Sequence, residues 1–272
     1  MKPETRKSPR EKHPVQEAVE GVKQEAIIEE LDIEKVEALT IKVPVAEGKP
    51  WTPRTELGRK VLAGEINNID QILDSGVKIL EPEIVDRLVP GLEFMLVEVG
   101  QSKGKFGGGK GSIWKQTQKK TREGNRAKFS TFAFVGNKNG YVGVGFAGGK
   151  ETVPAREKAV RTAKLNLIRV PRGCGSWACG CRESHSIPVA SKGKEGSSEM
   201  IIMPAPKGTG LTIEKKCQKL LDLAGIKDVY SRTTGQTVTR LNLMMACYYA
   251  LKNLSKVKYK PEHVKELGII GI

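Results

Sequence analysis

Cys174, Cys179, Cys181 and His185 lie within twelve residues, in the order C-x4-C-x-C-x3-H. Three thiolates and one imidazole form a closed tetrahedral set, which suits a structural zinc with no open position for a substrate. Gly173, Gly175 and Gly180 would let the chain wrap tightly around one ion. The Cys-x-Cys step is irregular, because zinc modules usually separate paired ligands by two to four residues. Two readings therefore stay open: a bound zinc, or reduced loop cysteines with His185 hydrogen-bonded to backbone. Arg172 and Arg182 flank the cluster and would face an anion in either case. Cys217 and Cys247 fall in helical patterns and read as buried thiols.

The second chemistry is cationic. Between Gly100 and Lys128 stand Lys103, Lys105, Lys110, Lys115, Lys119, Lys120, Arg122, Arg126 and Lys128, against the single acid Glu123. Phe106 and Trp114 are interleaved with them, a pattern that suits phosphate neutralisation with occasional base stacking. Without an anionic partner so many like charges repel one another, although a solvated basic loop is the plain alternative. Further cations at Arg156, Lys158, Arg161, Lys164 and Arg169 follow the next hairpin. Lys207 and Thr209 sit in a Pro/Gly-rich loop that offers phosphate contacts.

Two glycine motifs imitate nucleotide sites. Gly104-KFGG-Gly109-Lys110 matches most of a phosphate-binding P-loop, but Gly111 stands where the magnesium-holding Ser or Thr belongs. Gly143-x-Gly145-x-x-Gly148 follows a strand and precedes a helix, as a dinucleotide fingerprint would. No Asp or Glu occurs between Glu157 and Glu183 to hold a ribose, and the strand before it pairs through a hairpin instead of a crossover. Neither motif supports a nucleotide cofactor or an enzyme.

These residues need elements to place them. Phe129 to Val135 alternates as a buried strand, Asn137-Lys138-Asn139-Gly140 suits a tight turn, and Tyr141 to Phe146 returns. Thr152 and Pro154 open a helix whose apolar stripe is Ala155, Ala159, Ala163, Leu167 and Val170. Glu93 to Val99 reads as an earlier strand. In the second half, Glu199 to Met203 is a strand, residues 213–223 a helix ended by Gly225, and residues 226–230 a strand. The segment SRTTGQT, with Arg232, reads as a polar loop. A long helix then begins at Thr237 or Thr239 and buries Leu241, Met244, Met245, Tyr248 and Leu251.

The expected organisation is a charged extension over 1–40 and a helical adaptor over 41–83. A basic-loop domain follows over 84–170, with its loop at 100–128. A cysteine-rich linker over 171–188, an α+β domain over 189–260 and a tail over 261–272 complete the chain. The chain carries 46 Lys and Arg against 31 Asp and Glu, a net charge of +15, so a polyanion is the leading expectation for its partner. No run of about twenty apolar residues predicts a membrane span. The N-terminus lacks the apolar core of a secretory signal. Five cysteines, an odd and clustered set, predict a reduced cytoplasmic setting.

The stretch FVGNKNGYVGVGFAGGKETVPAREKAVRTAKLNLIRV resembles the core of the universal small-subunit ribosomal protein five family. PAPKGTG, LLDLAGIKDVYSRTTG and LNLMMACYYALKNL resemble its second half. CGSWACGCRESHSIP and WTPRTELGRKVLAGEI are similar to its archaeal-type members. The resemblance covers residues 50 to 260. It implies an α+β chain: a double-stranded-RNA-binding-like domain followed by a C-terminal βαβ-type domain with a left-handed crossover. It also implies rRNA binding in the small subunit, beside ribosomal proteins four and eight and where mRNA enters, with support of translational accuracy and no catalysis. By the same analogy the 100–128 loop is the arm that inserts into rRNA, though here it is longer and richer in glycine than the family's usual loop. A free-standing double-stranded-RNA-binding module is the alternative.

Overall fold

The computed structural model describes residues 51–100 and 111–271. The 1–40 extension, the P-loop look-alike and the cations Lys103, Lys105 and Lys110 lie outside the described residues. Among the described residues the order begins with three short helices, α1 (Glu56–Ala63), α2 (Ile69–Asp74) and α3 (Pro82–Leu88). Thr55 caps α1 through its side chain, and Gly64, at φ 82°, ends it in the left-handed region. The adaptor's third helix runs to Leu88, so the expected boundary at 83/84 cuts through an element.

A five-stranded antiparallel sheet follows: β1 (Glu93–Val97), β2 (Trp114–Thr121), β3 (Gly124–Gly136), β4 (Tyr141–Gly149) and β5 (Leu167–Arg169). The long β3 organises it. One edge of β3 is shared end to end, with β1 pairing residues 132–136 and β2 pairing residues 124–131. On its other edge β4 reaches only to Phe129, opposite Gly149. Residues 124–128 therefore pair with β2 alone, and the two strands leave the sheet as a ribbon. This corrects the expectation of a loop across 100–128: its part from Trp114 onward is a hairpin. Gly124, at φ 114°, makes the tight turn.

Helix α4 (Thr152–Leu165) crosses the sheet face made by Gly143 and Gly145. A Cβ on Gly143 would collide with the carbonyl oxygen of Ala163, and one on Gly145 with that of Ala159. Those glycines exist for this close approach, with the buried Ala155, Ala159 and Ala163 supplying the small residues on the helix side. The helix ends earlier than its apolar stripe predicts. Asn166 closes it, and Leu167 belongs to β5, paired back onto Gly143, while Val170 lies beyond that strand. The β-branched Ile168 in the run LIRV fits this edge strand better than a further helical turn.

The second sheet has the order β6 (Ser191–Glu195), β7 (Ser198–Pro204), β9 (Val229–Gly235), β8 (Leu211–Thr212). The βαβ unit is β8, α5 (Lys215–Ala224) and β9, with β8 and β9 parallel. Gly225 caps α5 at φ 77°, as its position predicts. Two strands depart from the sequence reading. SRTTG is the body of β9, not a loop, and SKGKE forms the edge strand β6, whose lysines hide the strand signal. The last long helix, α6 (Arg240–Leu254), lies over β6, where a Cβ on Gly193 would strike the Ala246 carbonyl. Its buried face is wider than expected and includes Leu243, Ala246, Cys247, Ala250 and Leu254. The tail is ordered as α7 (Pro261–Glu266), followed by a bridge from Ile270 to Arg172.

One core joins the two sheets. Phe132, Phe134, Val142 and Val144 from the first meet Met200, Ile202, Leu220, Leu221 and Met244 from the second half, all essentially inaccessible. Smaller cores lie beneath the adaptor, around Ile72, Ile84 and Val85, and under α4. Arg169 fastens the adaptor by pairing with Asp70 at 3.1 Å and Asp74 at 2.9 Å.

Candidate metal centre and nucleic-acid interface

The cysteine-rich loop is pinched at its base. Gly173 and Ser186 exchange backbone hydrogen bonds of 2.9 and 3.2 Å, and the Cys174 amide donates to the Leu267 carbonyl at 2.8 Å. Between these ties the chain brings Cys174, Cys179, Cys181 and His185 together, with all four ligand atoms within 4.8 Å of one another. The His185 Nε2 atom lies 3.9 Å from Cys179 Sγ. A tetrahedral zinc bound by thiolates would hold its ligand atoms about 3.8 Å apart, so a small contraction completes the set. The donors fit zinc.

Sequence reading missed the residue that aims the imidazole. His185 Nδ1 meets Asp228 Oδ2 at 2.8 Å, with both side chains nine-tenths buried. The alternative reading has His185 bonded to backbone; its Nδ1 partner is instead this carboxylate. With Nδ1 turned to that carboxylate, Nε2 is the ring nitrogen that faces the cluster. The other Asp228 oxygen accepts from Gly208 N at 3.1 Å and Gly210 N at 2.8 Å, which ties the PAPKGTG loop to the same carboxylate. The available signal was an acid inside the apolar run AGIKDVY: a buried carboxylate needs partners.

The thiols differ. Burial and the neighbouring Cys181 and Cys179 push the Cys174 thiol up to about 11. Amide N–H groups of Lys207 and Cys181 lower the Cys179 thiol to about 6. Such amides pointing at sulfur stabilise a thiolate, the form a metal requires.

The expected phosphate-binding residues divide by placement. Lys115, Lys119, Lys120, Arg122, Arg126 and Lys128 are all exposed on the β2–β3 ribbon. Arg161 is exposed on α4 and Arg156 half-buried, but they share a cleft with Glu83, Asp86 and Glu157, so that surface is of mixed charge. Lys164 is committed to Asp86 at 2.7 Å. Lys207 is exposed and meets Glu183 at 2.7 Å, a solvent-facing pair that is readily exchanged. Arg172 departs from its expected role. It is only 8% exposed, and its guanidinium donates to Asn139 Oδ1 at 2.6 Å and to the Lys138 carbonyl at 3.5 Å. It braces the β3–β4 turn from inside. Among the described residues no helix is long and apolar enough to cross a membrane.

Comparison with known proteins gives two family matches. Residues 113–171 match the model described as ribosomal protein S5, N-terminal domain, and residues 193–265 match ribosomal protein S5, C-terminal domain. Curated relatives carry the name small ribosomal subunit protein uS5. One from Nanoarchaeum equitans is 47% identical over 218 residues, covering 80% of this chain and 94% of the relative. One from Methanocaldococcus jannaschii is 46% identical over 220 residues, 81% and 94% of the two chains. One from Pyrobaculum arsenaticum is 48% identical over 203 residues, 75% and 93%.

Proposed function

Because this chain belongs to the ribosomal protein S5 family, we propose that it is a structural constituent of the small ribosomal subunit and binds small-subunit rRNA. The observation that carries this reading is the ribbon. Six exposed cations, Lys115, Lys119, Lys120, Arg122, Arg126 and Lys128, surround one acid, Glu123, on a hairpin whose outer part, residues 124–128 with their β2 partners, is covered by no further strand among the described residues. A two-stranded ribbon of this kind has little apolar surface to bury and is well suited to lie along phosphates. Lys103, Lys105 and Lys110 extend the same cationic run in sequence. Arg156, Arg161 and Lys207 make further contacts from the edges of the fold.

The chain neutralises charge and fixes rRNA in one geometry. Support of translational accuracy follows if that geometry biases the subunit between its decoding states. Its neighbours are ribosomal proteins four and eight, and mRNA where it enters the subunit; its setting is the cytoplasm. The first sheet with α4 serves as a double-stranded-RNA-binding-like platform. Cys174, Cys179, Cys181 and His185 hold one structural zinc, which would supply a four-point cross-link that closes the loop. No nucleotide cofactor and no catalytic role is assigned.

Sedimentation of lysate through a sucrose gradient at high magnesium tests the reading. The chain is expected with the small subunits. Recovery at the top of the gradient, free of subunits yet bound to generic duplex RNA, would establish the free-standing RNA-binding module instead.

A further inference from the structure

Trp177 is 99% exposed, the most accessible large apolar side chain among the described residues; Val238 follows at 80%. Its exposure is built in. The Cys179 amide donates to the Ser176 carbonyl at 3.2 Å, closing a turn with Trp177 and Ala178 at its corners. The Ala178 amide also reaches Ser176 Oγ at 3.4 Å. Ser176 and Cys174, at 9% and 3% exposure, anchor the inner side of this turn. Outside the turn, a Cβ on Gly175 would strike the Pro188 carbonyl and one on Gly268 the Arg182 carbonyl, so the loop is braced on both flanks. The backbone that carries the indole is fixed, so binding has to order only the side-chain torsions of Trp177.

We propose that Trp177 is an RNA anchor, its indole stacking on an unpaired base while Arg182, Lys207 and Lys227 meet the flanking phosphates. Each of these cations is fixed to the loop. Arg182 belongs to it, Lys207 pairs with the loop's Glu183 at 2.7 Å, and the Lys227 amide donates to the His185 carbonyl at 2.9 Å. All three side chains are exposed, and the facing acid is Glu183, paired with Lys207. An exposed aromatic on a loop that carries and is tied to cations has the composition that reads splayed bases. A protein socket would call for an apolar rim, and the chain neighbours of Trp177 are Ser176 and Ala178. The proposal rests on the rRNA-binding reading.

Full-length wild type and the variants Trp177→Ala, Trp177→Phe and Trp177→Leu are titrated with intact small-subunit rRNA at fixed salt. The side chain packs on nothing among the described residues, so all four proteins should share one thermal midpoint. Loss of about tenfold in affinity is expected for Ala, with Leu equally weak and Phe close to wild type. The emission difference between wild type and Trp177→Phe isolates this indole and should be quenched by the RNA. Ala binding within about twofold of wild type, Leu binding as tightly as Trp, or unquenched emission each overturns the anchor while leaving rRNA binding intact. Wild type that fails to bind the RNA overturns both readings.

Discussion

At the scale of single residues, His185 shows how a ligand set depends on a partner far away in sequence. The imidazole can present Nε2 to the thiols because Asp228, 43 positions on, holds Nδ1 at 2.8 Å. Without that carboxylate the ring is free to turn or exchange tautomer, and the fourth ligand is no longer fixed. Removing such a supporting carboxylate typically lowers metal affinity by 10–100-fold, so Asp228→Asn should lose zinc to a chelator about that much more readily. Cys179→Ser removes a ligand outright and should abolish the roughly one equivalent of zinc expected per chain. Metal analysis of purified protein checks both. Purified wild type without zinc would return the cluster to reduced loop cysteines. The residues of the cluster were legible from spacing, because Cys and His close together are rare without a reason. Asp228 was not, because nothing local marks which acid a buried histidine will meet.

Among the elements, the ribbon of β2 and β3 carries the most consequence. Its sequence, KQTQKKTREGNRAK, is polar throughout, so neither alternation nor hydrophobic content marks it as strand. The signal it does hold is weaker: Thr117 and Thr121 favour extended backbone, and Gly124 supplies the positive φ at the turn. Pairing in register from Trp114↔Thr131 to Thr121↔Gly124 then converts a scattered charge run into two rows of cations at fixed spacing. That order sharpens the expected effect of removing them. Joint substitution of Lys115, Lys119, Lys120 and Arg122 by Ala should weaken rRNA binding and reduce the slope of log affinity against log salt by two to four units, about one for each cation that meets a phosphate. Filter binding across a salt series reads the slope directly. An unchanged slope would move the phosphate contacts elsewhere. The single acid of the turn, Glu123, is exposed.

For the molecule as a whole, the two family domains share one core. Strands β1, β3 and β4 press Val97, Phe132 and Val144 against the same apolar cluster that holds Leu220, Leu223 and Met244. The turn after β3 is stitched to the end of α5, with the Lys138 amide donating to Leu223 O at 2.8 Å and the Gly140 amide to Ala224 O at 3.1 Å. Separating the halves would expose those side chains and strip those amides of partners. The chain should therefore unfold in one transition, with calorimetric and van't Hoff enthalpies equal at constant zinc. Leu220→Ala, which opens a cavity at this shared surface, should cost about 3 kcal/mol and lower the midpoint of the whole transition. Two separate midpoints, only one of them moved by the substitution, would show that the halves fold independently.

By itself the sequence determined the features that depend on local chemistry. The hairpin around Asn137–Gly140, the start of α4, the glycine cap of α5, the cluster of sulfur ligands and the cationic run all follow from residue type and short-range spacing. It also determined the family, because several motifs occur in the right order along most of the chain. Tertiary structure decided everything that rests on contacts between distant segments. Leu167 leaves the helix because Gly143 accepts it as a strand partner. Arg172 turns inward because Asn139 and the Lys138 carbonyl wait there. The C-terminal tail is ordered because Leu267 and Ile270 find backbone partners on the cysteine-rich segment. The four candidate metal ligands, already close in sequence, become one site only when Asp228, the 206–210 loop and that tail hold them from three sides. A ligand pattern names donor atoms; the packing of remote chain fixes where they point.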